Sequence, residues 1–385
     1  MKKYLEKVIP SWMNYAAICL LTLLLSAFGL VMIHAASLYA GLDMDYLTNR
    51  QITYLILGAV VLILCQSIPL HIWEKAAPFF MGVGIAAVFL LMTPLGRTVN
   101  GVRRWLSIGY VNFPPAYLVV WGYILWTAFI LIKDVRREWK FGFGKLLWGS
   151  GIITSLIVWK LSDTAAAAVI IMFITFGVSI ACQRHILAHV LGLVSFAVLT
   201  MGVPAFLFLS GIWSDTHYFT QRYLAWLDPY KYRNSTGYYT CQSLDALKNA
   251  GLFGHGYGNG TMGLSASDAS SDMIFAVTAD ELGWIGALAM LAVFAVLCYQ
   301  IFRVAKLAYE TEEYFGSVLV FGVMVHIGIS VIYNVAVCLN LIPNAGMMVL
   351  PFVGFSGMSL VFLFGELGCV LSVLRKCGKM VDMPE

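Results

Sequence analysis

Hydrophobic residues along this chain run in long unbroken stretches rather than in the narrow stripes of soluble helices or the alternation of half-buried strands. Windows of the about 17 to 25 residues needed to cross a bilayer fall near 15–35, 52–69, 76–93, 115–132, 146–161, 164–182, 186–211, 272–302, 315–340 and 347–373. The fifth and sixth are separated only by Lys160, Ser162 and Asp163. The pattern predicts an all-α polytopic membrane protein of about ten transmembrane helices, forming a single domain over residues 1–385. One long extracytoplasmic loop, about 212–271, is expected to carry Arg222, Asp228, Arg233 and a dense set of glycines and aromatics. No internal repeat, heptad run or low-complexity tract interrupts this organisation. The first run, Tyr15 to Ile33, follows Lys2 and Lys3 and is too long for a signal-peptide core, so it reads as a retained helix.

Composition turns that pattern into an exclusion. The chain is 60% hydrophobic and 11% charged, whereas soluble domains carry about 25% charged residues. A soluble enzyme would lack the polar shell it needs, so lipid is the solvent for the apolar surface. An even number of spans puts both ends on one side. Lys2, Lys3 and Lys7, then Lys133, Arg136, Arg137, Lys140 and Lys145, then Arg303 and Lys306, then Arg375, Lys376 and Lys379 fall together there, which makes both termini cytoplasmic. The opposite face also holds basic residues, in Thr93–Pro115 with Arg97, Arg103, Arg104 and Trp105. The eight cysteines have neither CxxC nor Cys/His ligand spacing, so neither a disulfide framework nor a zinc site is indicated. No nucleic-acid partner is expected.

Acidic residues gather where the long loop re-enters the membrane, between Ser270 and Gly283. Ser271 reads as an N-cap that would set Asp272 in the first helical turn. Counting back from Phe302, a continuous helix leaves Asp272 roughly 15 Å beyond the hydrocarbon edge. On a straight helix Asp280 and Glu281 would lie about 80° and about 180° round from it, so the three could not share a pocket. By itself Asp272 has a bland reading as an acidic residue favoured at a helix N-terminus. Asp280 and Glu281 are less easily dismissed, because carboxylates near apolar helix interiors need a partner. Lys160, Arg50, Arg104 and Arg222 are the expected basic candidates. The run Gly254 to Gly260 lacks the strand-helix context of a phosphate cradle and reads as backbone that turns tightly or is approached closely. His255 within it is an isolated histidine, and His34, His185, His189, His217 and His326 have no carboxylate at ligand spacing.

Taken in order, these motifs resemble the shape, elongation, division and sporulation family of bacterial membrane proteins, the FtsW/RodA/SpoVE group. The resemblance covers most of the chain: Asn49-Arg50-Gln51, Asn100 to Leu106 with Gly109, Trp226-Leu227-Asp228-Pro229, Gly237-Tyr238, Gln242 to Leu247 and Gly251 to Gly256. The strongest block is Ser271 to Val277 through Glu281-Leu282-Gly283; Asn334, Pro343, Gly346, Leu350-Pro351-Phe352 and Ser356 to Ser359 complete the series. Departures are equally specific. Where the family has a glutamine-proline-serine-glutamate run followed by a lysine, this chain has Pro114-Pro115-Ala116-Tyr117 and Val120, without either charge. The proline-aspartate-leucine-glycine-threonine segment is here Ser162 to Ala166, and the terminal serine-tyrosine-glycine-glycine motif is Gly354-Phe355-Ser356-Gly357.

The resemblance implies an enzyme of the bacterial cytoplasmic membrane that polymerises lipid II into glycan strands at the outer leaflet by inverting glycosyl transfer. It also implies a class B penicillin-binding transpeptidase as partner and a role in division, elongation or sporulation. Asp272 becomes the candidate general base, and Arg50, Arg104 and Arg222 the candidate holders of pyrophosphate, with magnesium or manganese as the one candidate cofactor. Trp105, Asp228, Gln242, Ser243, Gly256, Gly258 and Glu281 complete the candidate substrate-binding set. A non-catalytic scaffold for the transpeptidase, suggested by Tyr117 and Val120, and a lipid II flippase using Asp163, Asp280 and Glu366, are the alternative readings.

Overall fold

The computed structural model describes residues 11–39, 44–99, 102–108, 111–136, 138, 142–162, 164–182, 190, 194, 210, 218–262, 269–344 and 348–382. Helices α1 (Ser11–Tyr39), α2 (Met44–Ser67) and α3 (Leu70–Leu90) follow one another, and a small sheet comes next. Three strands, β1 (Gly96–Val99), β2 (Val102–Ile108) and β3 (Val111–Phe113), pair antiparallel in chain order. Helices α4 (Pro115–Val135), α5 (Phe143–Ser162) and α6 (Ala165–Ala181) return to the bundle. Two shorter helices, α7 (Tyr218–Leu227) and α8 (Tyr238–Asn249), lie within the long connection. The chain then enters α9 (Ile274–Glu310), α10 (Tyr314–Cys338) and α11 (Met358–Asp382).

Seven helices among the described residues are long and apolar enough to cross a membrane, and α6 is apolar but shorter. Each hydrophobic window coincides with a helix except 186–211, which lies largely outside the described residues. The last window differs in detail. Its helix begins only at Met358, because Pro351, Phe352 at φ 63° and Gly357 at φ 57° hold the preceding segment out of helical geometry. The sheet was not anticipated from the hydrophobic pattern. Its signal is local: Val99 pairs with Val102, and Asn-Gly lies between them in sequence, a dipeptide that favours two-residue hairpins.

Burial separates the helices into a core and a rim. Most of α4 is buried, with 78% of its apolar window covered, whereas only 17% of the α2 window is covered. A helix that is apolar all round and buried all round belongs to the centre of a bundle. α4 packs against α3, α10 and α6, while α2 lies along α11. The α3 and α4 backbones come close where Gly84 faces Val119 and Gly122 faces Met81; a Cβ at either glycine would sit 3.2 and 3.1 Å from the facing Cα. Small residues at helix crossings do this in membranes, where packing rather than water exclusion holds helices together.

Candidate active site

Asp272 lies just ahead of α9, not inside its first turn. The helix begins at Ile274, with Met273 at the cap position and no side-chain cap, so Ser271 does not cap it. Residues 271–273 form a turn instead, which leaves the Asp272 side chain half-buried. Its main chain is fixed from several directions. The Asn334 Nδ2 of α10 donates to the Asp272 carbonyl at 2.9 Å and to the Met348 carbonyl at 3.0 Å. Phe355 N donates to the Ser270 carbonyl at 2.7 Å, and Gln51 Nε2 of α2 reaches the Gly354 carbonyl at 3.3 Å. Motifs some three hundred residues apart are thus joined around one turn.

Polar side chains from other elements converge on the same place. Tyr117, in the first turn of α4, has a buried hydroxyl that feels the charges of Asp272 and Arg104 and the neighbouring phenol of Tyr333. Arg104 is brought in by β2 and is itself buried, a position a guanidinium keeps only with polar or acidic company. Tyr333 comes from α10, one residue before Asn334. The short step from β3 through Pro114 and Pro115 into α4 sets Tyr117 beside the sheet that carries Arg104. Val120, by contrast, is wholly enclosed in the apolar core and serves packing.

Asp280 and Glu281 have a different set of partners from the ones expected of them. Both are fully buried, and the main chain of α9 breaks at Gly283 (φ 72°, ψ −177°), two residues beyond Glu281. The glycine-rich segment lies along that break. His255 N donates to the Asp280 carbonyl and Gly256 N to the Glu281 carbonyl, each at 2.9 Å. Trp284 N returns a bond to the Gly251 carbonyl at 3.1 Å and Ile285 N to the Leu252 carbonyl at 3.2 Å. The Asp280 carboxylate accepts from Thr261 N at 2.6 Å and from Thr261 Oγ1 at 3.0 Å, and lies 2.9 Å from His255 Nδ1. Glu281 Oε2 accepts from Gly258 N at 2.5 Å. The expected partner among Lys160, Arg50, Arg104 and Arg222 is therefore replaced by a histidine, a hydroxyl and main-chain amides, which take both oxygens of Asp280 but only Oε2 of Glu281, leaving Glu281 Oε1 buried without a hydrogen-bond partner. Gly254 and Gly283 allow this approach. A Cβ on Gly254 would lie 2.3 Å from the Glu281 carbonyl oxygen, and one on Gly283 would lie 2.2 Å from that of Leu252.

The remaining candidates disperse. Arg50 is held on its own helix by Tyr46 and Tyr54 at 3.0 and 3.4 Å. Arg222 Nη1 donates to the Asn344 carbonyl at 2.6 Å. Asp228 is exposed and closes a turn by accepting from Lys231 N at 3.2 Å. Ser243 is buried, and its hydroxyl ties α8 to the Cys338 carbonyl of α10 at 2.9 Å, which occupies it structurally. Gln242 is half-buried on α8, and Trp105 stands opposite Arg97 in the sheet. Gly256 and Gly258 serve Glu281 through their amides. Among the described residues no group of three His, Cys, Asp or Glu side chains is placed to hold a metal. Sequence spacing concealed two histidine pairs: His255 with Asp280, and His326 of α10, whose Nδ1 lies 2.7 Å from Glu366 Oε2 of α11 in the buried bundle. Asp163, His185, His189, His217, Gly109 and Gly346 lie outside the described residues.

Comparison with known proteins gives this arrangement relatives. A probable peptidoglycan glycosyltransferase FtsW from Coxiella burnetii is 31% identical over 378 residues, covering 96% of this chain and 98% of that protein. A second, from Saccharophagus degradans, is 31% identical over 91% of this chain and 89% of its own length. Among solved structures, a peptidoglycan synthase complex described as coordinating polymerization and crosslinking contains a chain that superposes with TM-score 0.72 at 22% identity, covering 94% of this chain and 97% of that one. The rod shape determining protein RodA of Thermus thermophilus superposes with TM-score 0.66 at 20% identity over 93% of this chain and 96% of its own. The family described as cell cycle protein, FtsW/RodA/SpoVE, matches residues 15–378, and the chain belongs to that family.

Proposed function

We propose that the chain is a peptidoglycan glycosyltransferase that extends glycan strands from lipid II, the undecaprenyl-pyrophosphoryl disaccharide-pentapeptide. The observation that carries this reading is that the half-buried Asp272, the buried Arg104 and the phenol of Tyr333 all act electrostatically on the buried Tyr117, which joins them in one polar cluster. Family membership and the names of the relatives support it. Glycosyl transfer needs a base for the acceptor hydroxyl and cationic groups for the departing pyrophosphate. Asp272 takes the acceptor's proton as the oxygen bonds to the anomeric carbon, and the bond from that carbon to pyrophosphate breaks on the opposite face, with inversion. Arg104 offsets the charge gathering on the leaving group. A magnesium or manganese ion, if bound, would be held by Asp272 and would supply further neutralisation of the leaving group.

The cluster is assigned to the outer leaflet, with both termini cytoplasmic, on the strength of the basic residues that flank the opposite helix ends. The transpeptidase partner is inferred from the synthase complex that the chain superposes on. The test is glycan polymerisation from purified lipid II, with a cognate transpeptidase and a divalent cation present. Polymer from wild type and none from Asp272→Asn is the expected result. Full activity of Asp272→Asn removes Asp272 from the chemistry, and a folded wild-type complex that makes no polymer turns the assignment toward the scaffold reading.

A further inference from the structure

Leu252 and Phe253 are 64% and 77% exposed, although the backbone on either side of them is hydrogen-bonded to α8 and α9. The carbonyls of Gly251 and Leu252 accept from Trp284 and Ile285, and the amides of Gly254, His255 and Gly256 donate to Ala250, Asp280 and Glu281. The pair is bracketed by Gly251 at φ 59° and Gly254 at φ 73°, so the turn projects both side chains from a pinned backbone. Pinned in this way, the segment can meet hydrocarbon without leaving those polar groups unpartnered.

Its position along α9 says what it meets. From Ile285 onward α9 presents an exposed apolar face in which Ile285, Leu288, Val296, Tyr299 and Phe302 recur at helical spacing. That face is continuous with Leu252 through the bond from Ile285 N. Ile285 to Phe302 spans about 26 Å at the rise of an α-helix, close to the thickness of a hydrocarbon core. Arg303 and Lys306 follow Phe302 and mark the far boundary. Leu252 and Phe253 therefore stand at the near boundary, at the outer end of the lipid-facing stripe.

We propose that Leu252 and Phe253 form a membrane-interface anchor, inserted among the lipids of the leaflet that meets the Ile285 end of α9. The anchor holds the glycine-rich strap at a fixed depth, and through Asp280 and Glu281 it holds the first segment of α9, with Asp272 at its head. The partner is the bilayer itself, so the inference stands independently of which reaction Asp272 performs.

The test places the photoreactive p-benzoyl-phenylalanine at position 253 of the full chain, reconstituted in vesicles of phosphatidylethanolamine and phosphatidylglycerol. Position 288 on the stripe is the lipid-facing control, and position 234, an exposed asparagine in a polar turn, is the water-facing one. After irradiation, intact-mass analysis should find phospholipid adducts at 253 within about twofold of 288 and about tenfold above 234. A yield at 253 no higher than at 234, while 288 still labels, overturns the proposal. The same variant irradiated in native membranes sharpens the outcome: lipid adducts support the anchor, and a defined protein adduct in their place assigns the pair to a protein interface and overturns it.

Discussion

Asp272 and Asp280 lie only eight positions apart in sequence, yet the structure treats them as different materials. At Asp272 the main chain is clamped, by Asn334, while the side chain is left half-buried among Arg104, Tyr117 and Tyr333. At Asp280 both are held: the carbonyl accepts from His255 N, and the side chain is fully buried with both of its oxygens taken by His255 and Thr261. A carboxylate whose lone pairs are consumed by the fold is poorly placed to take a proton from a substrate. Membrane carboxylates often mark function, but the Asp280 carboxylate is one that holds the Thr261 main chain in place.

The largest effect should come from the first of them. Asp272→Asn keeps the shape and the Asn334 bond but removes the base, and should lower polymerisation by about 10²- to 10⁴-fold with an unchanged melting temperature in detergent. Loss of activity accompanied by a large drop in melting temperature would erase the distinction, since Asp272 would then be a fold residue too.

Next is the break in α9 that follows them both. Gly283→Ala puts a Cβ 2.2 Å from the Leu252 carbonyl oxygen at a positive φ, so the strap must move off α9. A destabilisation of about 3 to 4 kcal/mol is expected, read as reduced yield and an earlier thermal transition. Any activity retained by the folded fraction would show that Asp272 is set by Asn334 and Gln51 rather than by the strap.

Asp280→Asn should be smaller and opposite in kind to Asp272→Asn. An amide can still accept one bond, but its NH2 group faces the Thr261 amide, so about 2 kcal/mol of stability is lost. Activity per folded molecule should stay within about threefold of wild type. A stable but inactive Asp280→Asn would place Asp280 in the chemistry.

What could be read from the sequence follows from what is local. The helices announce themselves because a bilayer demands long apolar runs, and the Ser270 to Gly283 block singles out its acidic residues by position alone. The helical-wheel angles for Asp280 and Glu281, however, presuppose that Asp272 is on the same helix, and α9 begins only at Ile274. Pairings across the chain leave no spacing signal: His255 meets Asp280 over 25 positions and His326 meets Glu366 over 40. The clamp on Asp272 is hidden for the same reason. Asn334 and Gln51 can be picked out as motif positions, but nothing in their neighbours says that one holds the Asp272 carbonyl and the other the Gly354 carbonyl. The sheet is the converse case, legible in the Asn-Gly dipeptide but masked by the basic residues around it.

The smallest effect tests the company Asp272 keeps. By resemblance, Tyr117 stands where the family carries a glutamate, and its position would be inert if it served only to pack the first turn of α4. Its hydroxyl instead shares a buried space with Asp272, Arg104 and Tyr333, where a phenol can orient a carboxylate without adding a charge. Tyr117→Phe deletes only the oxygen and should lower the turnover of lipid II by about tenfold, the scale of one lost hydrogen bond, with little change in KM. Tyr117→Glu adds a second negative charge beside Asp272, and like charges at short range hold one carboxyl protonated. Its activity optimum should therefore move to higher pH than that of wild type. If Tyr117→Phe matches wild type in both turnover and pH profile, the phenol is packing and takes no part in positioning the base.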